Sequence, residues 1–305
     1  MASFLRLPTE IRLIVYNYLL VDGYNYLTDS QAGGKKKRIL ISTVNYTREK
    51  DGPLSRSTYR VIADRFRARS IESTYKVRNK PDLHPAILRV NSQIHAEAAS
   101  VLYSQHTFDF GSDIESMVPF FRDRTSIDLA SIKRIAMTKS SLSNLRDFDR
   151  CEWRNMCQFI SKNMHLDELH LYFICGRPLE RELNYFGGVS QTVHDNVVDH
   201  YTKTDIAFIT TKSKVEGAEW IAELATITNL RKFELTTHFV VCPYPVSHAM
   251  SFWVTLSASA ETGLTEYLRE KMVKDESRIS YHNHQHRSMT HSIESKPAAP
   301  VGRPL

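Results

Sequence analysis

Hydrophobic residues along this chain recur first at a helical period. From residue 8 to residue 20, Ile11, Ile14, Val15, Tyr18 and Leu19 follow an i, i+3, i+4, i+7, i+8 stripe. Pro8 suits a first turn, where its missing N–H costs nothing, and Glu10 faces the positive end of the helix dipole. Asp22-Gly23 closes the helix. A second helix is predicted over residues 84–104, with Pro85 near its start. Its stripe is Ile87, Val90, Ile94, Ala98, Val101 and Leu102. His106 to Phe110 reads as a short strand, and Ser112 as the cap of a third helix reaching Arg124.

Beyond residue 125 the pattern changes. Ile132-x-x-Ile135-x-Met137, Leu166-x-x-Leu169-x-Leu171 and Leu230-x-x-Phe233-x-Leu235 each place apolar residues three and then two apart. A helical stretch around Trp153, Cys157 and Ile160 follows the first, a longer interval follows the second, and the third precedes another helical stretch. This predicts parallel strands alternating with helices, a degenerate leucine-rich-repeat-like helix/strand layer. The uneven intervals exclude a regular array.

Residues 24–80 interrupt the two helices and read as an insertion. Tyr24 to Thr28 and Arg38 to Thr47 are predicted to form a β-hairpin. The stretch from Gly52 to Ser70 is ambiguous. Arg65, Arg67 and Arg69 would share a strand face, whereas Ile62 and Phe66 would share a helix face. The fold class expected is therefore α/β, or α+β. Residues 1–110 form a helical unit carrying the insertion, residues 111–275 form the repeat-like domain, and residues 276–305 form a polar, disordered tail.

Composition narrows the class. The chain has 305 residues, of which 42% are hydrophobic and 24% charged, so a packed core is expected. The apolar run from Leu13 to Val21 is about half of the ~20 residues a membrane span needs. Pro8, Glu10 and Arg12 interrupt any signal-peptide reading. The four cysteines, Cys151, Cys157, Cys175 and Cys242, form no C-x-x-C pair and read as buried free thiols. These features point to an intracellular protein, cytoplasmic, nuclear or both, with no membrane contact.

Charge is uneven. From Lys35 to Lys80 there are 14 Lys/Arg against 4 Asp/Glu, although the whole chain carries only +6. Lys35, Lys36, Lys37, Arg38, Arg65, Arg67 and Arg69 are the candidate contacts for a polyanion such as nucleic acid. No compact nucleic-acid-binding motif accompanies them, so this is the weaker reading. The alternating His282, His284 and His286 lie in the polar tail, where no preformed metal site is expected.

No nucleophile elbow, phosphate-binding glycine loop, dinucleotide fingerprint or zinc-protease motif is present. A non-enzymatic protein without cofactor or metal is expected.

Two blocks carry a family resemblance. The first is Leu7-Pro8-x-Glu10-Ile11-Arg12 followed by Ile14-Val15-Tyr16-x-Tyr18-Leu19; the second runs from Ile87 to Phe110. In this order they resemble the F-box-like proteins of filamentous ascomycete fungi, including the family named for its two-EXR motif. The resemblance covers roughly 40 residues. It implies an F-box-like unit whose first helix docks on the Skp adaptor of a cullin ubiquitin ligase, while a downstream domain holds a protein substrate. Matched residue by residue, Leu7, Pro8, Ile11, Ile14 and Val15 would form the docking edge. The alternative is that this helix buries the same residues against the chain's own second helix.

Overall fold

Among the described residues, the chain folds around one seven-stranded mixed sheet of order β2-β3-β1-β4-β5-β6-β7. The computed structural model describes residues 4–22, 38–46, 56–64, 69–78, 83–140, 149–178, 200–212, 217–242, 245 and 247–274. Met1–Val273 form one compact unit. The architecture of this unit is α/β.

The repeated three-and-two spacing marks the start of a parallel strand in each copy. The strands are β5 (Arg134–Ser140), β6 (Glu168–Pro178) and β7 (Lys232–Cys242). They run side by side in register, with Ile135 beside Leu169 beside Phe233, and Met137 beside Leu171 beside Leu235. The leading residues Ile132, Leu166 and Leu230 sit just before each strand and are buried. The hydrogen bonds there repeat too. Lys133 O accepts from the N–H groups of Asp167 and Glu168, and Asp167 O accepts from those of Arg231 and Lys232. The two-residue step keeps both later side chains on one sheet face; the three-residue step crosses the turn that precedes it.

The short β4 (Thr107–Asp109) joins the same layer, parallel to β5. β1 (Arg38–Tyr46) then pairs in parallel with β4 and antiparallel with β3 (Arg69–Val77), which pairs with β2 (Tyr59–Asp64). The hairpin of the insertion is therefore β2–β3, the stretch whose period was ambiguous. β1 lies next to β3 and β4, and the expected partner strand at residues 24–28 is outside the described residues. The sheet also runs unbroken past residue 110, because β4 links the N-terminal strands to β5. The 276–305 tail, with its histidines, is outside the described residues.

Helix α1 spans Thr9–Asn17 and continues into a π-helical turn, Tyr18–Asp22. The helix expected over 84–104 is broken. A 3-10 turn covers Pro85–Arg89, and α2 covers Ser92–Gln105. Asn91 causes the break. Its backbone is extended, and its Oδ1 accepts the Ile94 N–H at 2.8 Å, capping α2. Val90 consequently leaves the predicted stripe and is 61% exposed. Replacing Asn91 with Ala is expected to cost about 1 kcal/mol, read as a lower urea midpoint with an unchanged slope. Ser112 caps nothing: a 3-10 turn at Ile114–Ser116 follows Asp113, and α3 (Met117–Arg122) follows that turn.

The remaining helices are α4 (Ser126–Ser131), α5 (Asp149–Asn163), α6 (Lys203–Thr211), α7 (Glu219–Leu224), α8 (His248–Ala258) and α9 (Thr265–Met272). Helix stretches separate the parallel strands, as the pattern predicted. Ile135, Met137, Leu169, Leu171, Phe173 and Phe233 share one buried sheet face. Phe173 meets Trp220 of α7, which meets Trp153 of α5.

Candidate functional site

Helix α1 is rotated against its own hydrophobic pattern. The residues it buries are Arg12, Tyr16 and Leu20, four apart and on one face. The stripe picked out by period faces solvent instead. Leu7 is 39% exposed, Ile11 44%, Ile14 64% and Tyr18 47%, and Leu5 and Leu13 are exposed as well. Pro8 is exposed, and Val15 and Leu19 are half-buried. Thus Leu7, Pro8, Ile11 and Ile14 form one apolar surface with Val15 at its inner margin. The chain's own second helix does not cover Ile11 or Ile14.

The cause is a polar network on the buried side. Arg12 grips Glu97 of α2 with two parallel bonds, Nε to Oε2 at 2.9 Å and Nη2 to Oε1 at 2.7 Å. Its remaining donors reach the Leu7 carbonyl at 2.5 Å, the Leu5 carbonyl at 3.4 Å and Thr9 Oγ1 at 3.1 Å. Five guanidinium N–H groups thus make five hydrogen bonds. Tyr16 donates its hydroxyl to Glu97 Oε2 at 3.0 Å, and Gln93 donates to Oε1 at 3.1 Å. The ring of Phe4 meets the edge of Tyr16 at 5.9 Å.

Side-chain exposure is only 7% for Arg12 and 20% for Glu97. A charge so placed must be paired, and pairing requires Arg12 to face α2. With Arg12 inward, residues 11 and 14 necessarily turn outward. The bonds from Arg12, with those from Gln93 and Tyr16, hold the Glu97 carboxyl down at about 2. Burial, then the bond to Glu97, pushes the Tyr16 hydroxyl up.

Arg12 also fixes the segment in front of the helix. By holding the carbonyls of Leu5 and Leu7, it sets the 3-10 turn Phe4–Arg6 and the Leu7-Pro8 step against α1. The two sequence blocks are therefore tied to each other by Arg12, Tyr16 and Glu97. Period alone did not single out these three. Sequence shows only that Arg12 lies in the first block and Glu97 in the second.

The candidate polyanion residues are not brought together among the described residues. Arg38 lies in β1, 3.5 Å from Asp109 Oδ2 and with its guanidinium over the Tyr172 ring. Arg69 opens β3. Lys35, Lys36, Lys37, Arg65 and Arg67 lie outside the described residues.

Cys157, Cys175 and Cys242 are buried and free. Burial pushes the Cys175 thiol up to about 12 and the Cys157 thiol in the same direction, which removes their nucleophilic form. Among the described residues, no cluster of three metal-ligating side chains occurs, and no helix is long and apolar enough to cross a membrane.

Comparison with known proteins adds one finding. The family described as a domain of unknown function, DUF7730, matches residues 1–182, which takes in α1, α2 and strands β1 to β6. No curated protein and no solved structure matches the chain.

Proposed function

The chain belongs to the DUF7730 family, and from that premise we propose that it is a non-enzymatic interaction protein that docks through α1. The observation that carries this reading is the outward apolar stripe of Leu7, Ile11, Ile14 and Tyr18, held there by a fully bonded buried arginine. A helix with such a stripe fits an apolar groove on a partner. Because both are already partly covered, closing over Ile11 and Ile14 would contribute roughly 1–2 kcal/mol each.

The partner is the Skp adaptor of a cullin ubiquitin ligase. The support is the F-box-like order of Leu7-Pro8, Ile11, Ile14 and Val15 together with the second block at Ile87 to Phe110. In this reading the docking edge is Leu7, Pro8, Ile11, Ile14 and Val15, the layer β4 to β7 holds a protein substrate, and the protein works in the cytoplasm or nucleus. No group of the chain does chemistry.

Co-expression of the full chain with the fungal Skp adaptor tests the proposal. The wild type is expected to co-purify with the adaptor. The Ile11→Asp/Ile14→Asp variant is expected to raise the dissociation constant about a hundredfold or more. Because both positions are exposed, its stability should stay within about 0.5 kcal/mol of wild type. A folded wild type that does not bind, or a variant that binds as well, overturns the reading.

A further inference from the structure

The two edges of the sheet are built differently. β2, at one end, has six residues and a register shift between Ile62 and Asp64. Short length and irregularity are how edge strands are kept from pairing. β7, at the other end, has eleven residues in unbroken register with β6. It contains no proline, and its two formal charges, Lys232 and Glu234, lie in its first three positions. Its second half is bare: Phe239 is 49% exposed, Val240 39% and Val241 67%. The described residues place no further strand beside it.

We propose that β7 is where two copies of this chain pair, edge to edge and antiparallel, about Thr236. This register is self-complementary. On one face it sets Phe233 of each copy opposite Phe239 of the other. On the other face it sets Glu234 opposite His238 and Thr236 opposite Thr236. The aromatic pair is of the kind that stabilises antiparallel strands; on the other face Glu234 already meets Lys232 and Thr236 Oγ1 already meets His170 within each copy, so that face brings no repulsion and the aromatic face carries the contact. No like charges meet, since Lys232 falls opposite Val240.

The length fits as well. Val273 forms a parallel bridge to Leu230, so the edge is taken up to that point. Pairing about Thr236 spans Arg231 to Val241 and stops short of the bridge. The covered half of one strand, where Phe233 is buried, meets the bare half of the other. The described strands of both copies then form one continuous sheet, and the contact is isologous.

Sedimentation equilibrium of the full chain tests this. The wild type is expected to be a dimer that dissociates on dilution. Val240→Lys puts an ammonium opposite Lys232 at two symmetric places, and should raise the dissociation constant roughly tenfold or more. Val240→Glu, at the same exposed position, should dimerise at least as well as wild type. Lys232→Glu combined with Val240→Lys should restore the dimer. A wild type that is monomeric at every concentration overturns the proposal, leaving the edge to a strand of another protein or to none. So does a dimer that responds equally to Val240→Lys and Val240→Glu, because another surface must then form it.

Discussion

Arg12→Ala is expected to lower the melting temperature by several degrees and to abolish adaptor capture, although no residue of the proposed docking edge is changed. The substitution removes five hydrogen bonds and leaves the Glu97 carboxylate, whose side chain is 20% exposed, without its bidentate partner. It also releases the carbonyls that hold Leu5 and Leu7 in front of the helix. Freed of the pairing requirement, α1 can turn Ile11 and Ile14 toward the core, where burying their side chains is favourable. Arg12→Lys should not rescue it, since an ammonium cannot bridge both Glu97 oxygens and two carbonyls at once. Comparison with Ile14→Asp separates the effects, because that variant should lose capture at an unchanged melting temperature. If Arg12→Ala melts with wild type and still captures the adaptor, the network does not set the helix.

The same network gives a signed acid dependence. Glu97 is held at about 2, below its ordinary 4.5. Between those values the folded carboxylate stays charged while the unfolded one takes up a proton. Its contribution to stability is therefore complete above about pH 5 and is lost as pH falls through that window. Melting curves from pH 6 to pH 3 should show this loss in wild type and less of it in Arg12→Ala. Equal slopes would contradict the assignment.

Gly263→Ala is the second large expected effect. Gly263 lies in the π-helical turn Ala260–Leu264 between α8 and α9, beneath the segment that starts α6. A Cβ there would collide with the Tyr201 carbonyl oxygen and lie 2.7 Å from the Thr202 carbonyl carbon. Both are backbone atoms, so no rotamer change relieves the clash. The strap cannot easily lift either. Tyr201 N–H donates to Ser259 Oγ at 2.6 Å, and Thr202 caps α6 in a reciprocal pair with Asp205. A loss of about 3 kcal/mol is expected in urea unfolding, at the upper end of overpacking costs. Gly111→Ala is the comparison. Its φ is +50° but nothing lies within 4 Å, so only the backbone preference is lost, about 1 kcal/mol. If Gly263→Ala costs no more than Gly111→Ala, the close approach is not tight.

Much of the sheet was legible in the chain. The triplets beginning at Ile132, Leu166 and Leu230 placed β5, β6 and β7, because a period of two fixes which side chains share a face. Asn91 was harder to read. It interrupts an apolar stripe that continues on both sides, and only its bond to the Ile94 N–H shows that the helix starts again there. The β2–β3 hairpin could not be read locally, since Arg65 to Arg69 fit one period and Ile62 with Phe66 another. Pairing with β1 decides it, and that partner is remote in sequence.

The sequence by itself determined the alternation of helices and strands, the residues that share a face, and the two N-terminal blocks. The tertiary structure alone decided which face of α1 is inside. Periodicity reports that Ile11, Ile14 and Tyr18 lie together; it carries no sign for inward or outward. That sign comes from Glu97, 85 residues away, because a shielded guanidinium must find a carboxylate and only one rotation of the helix allows it.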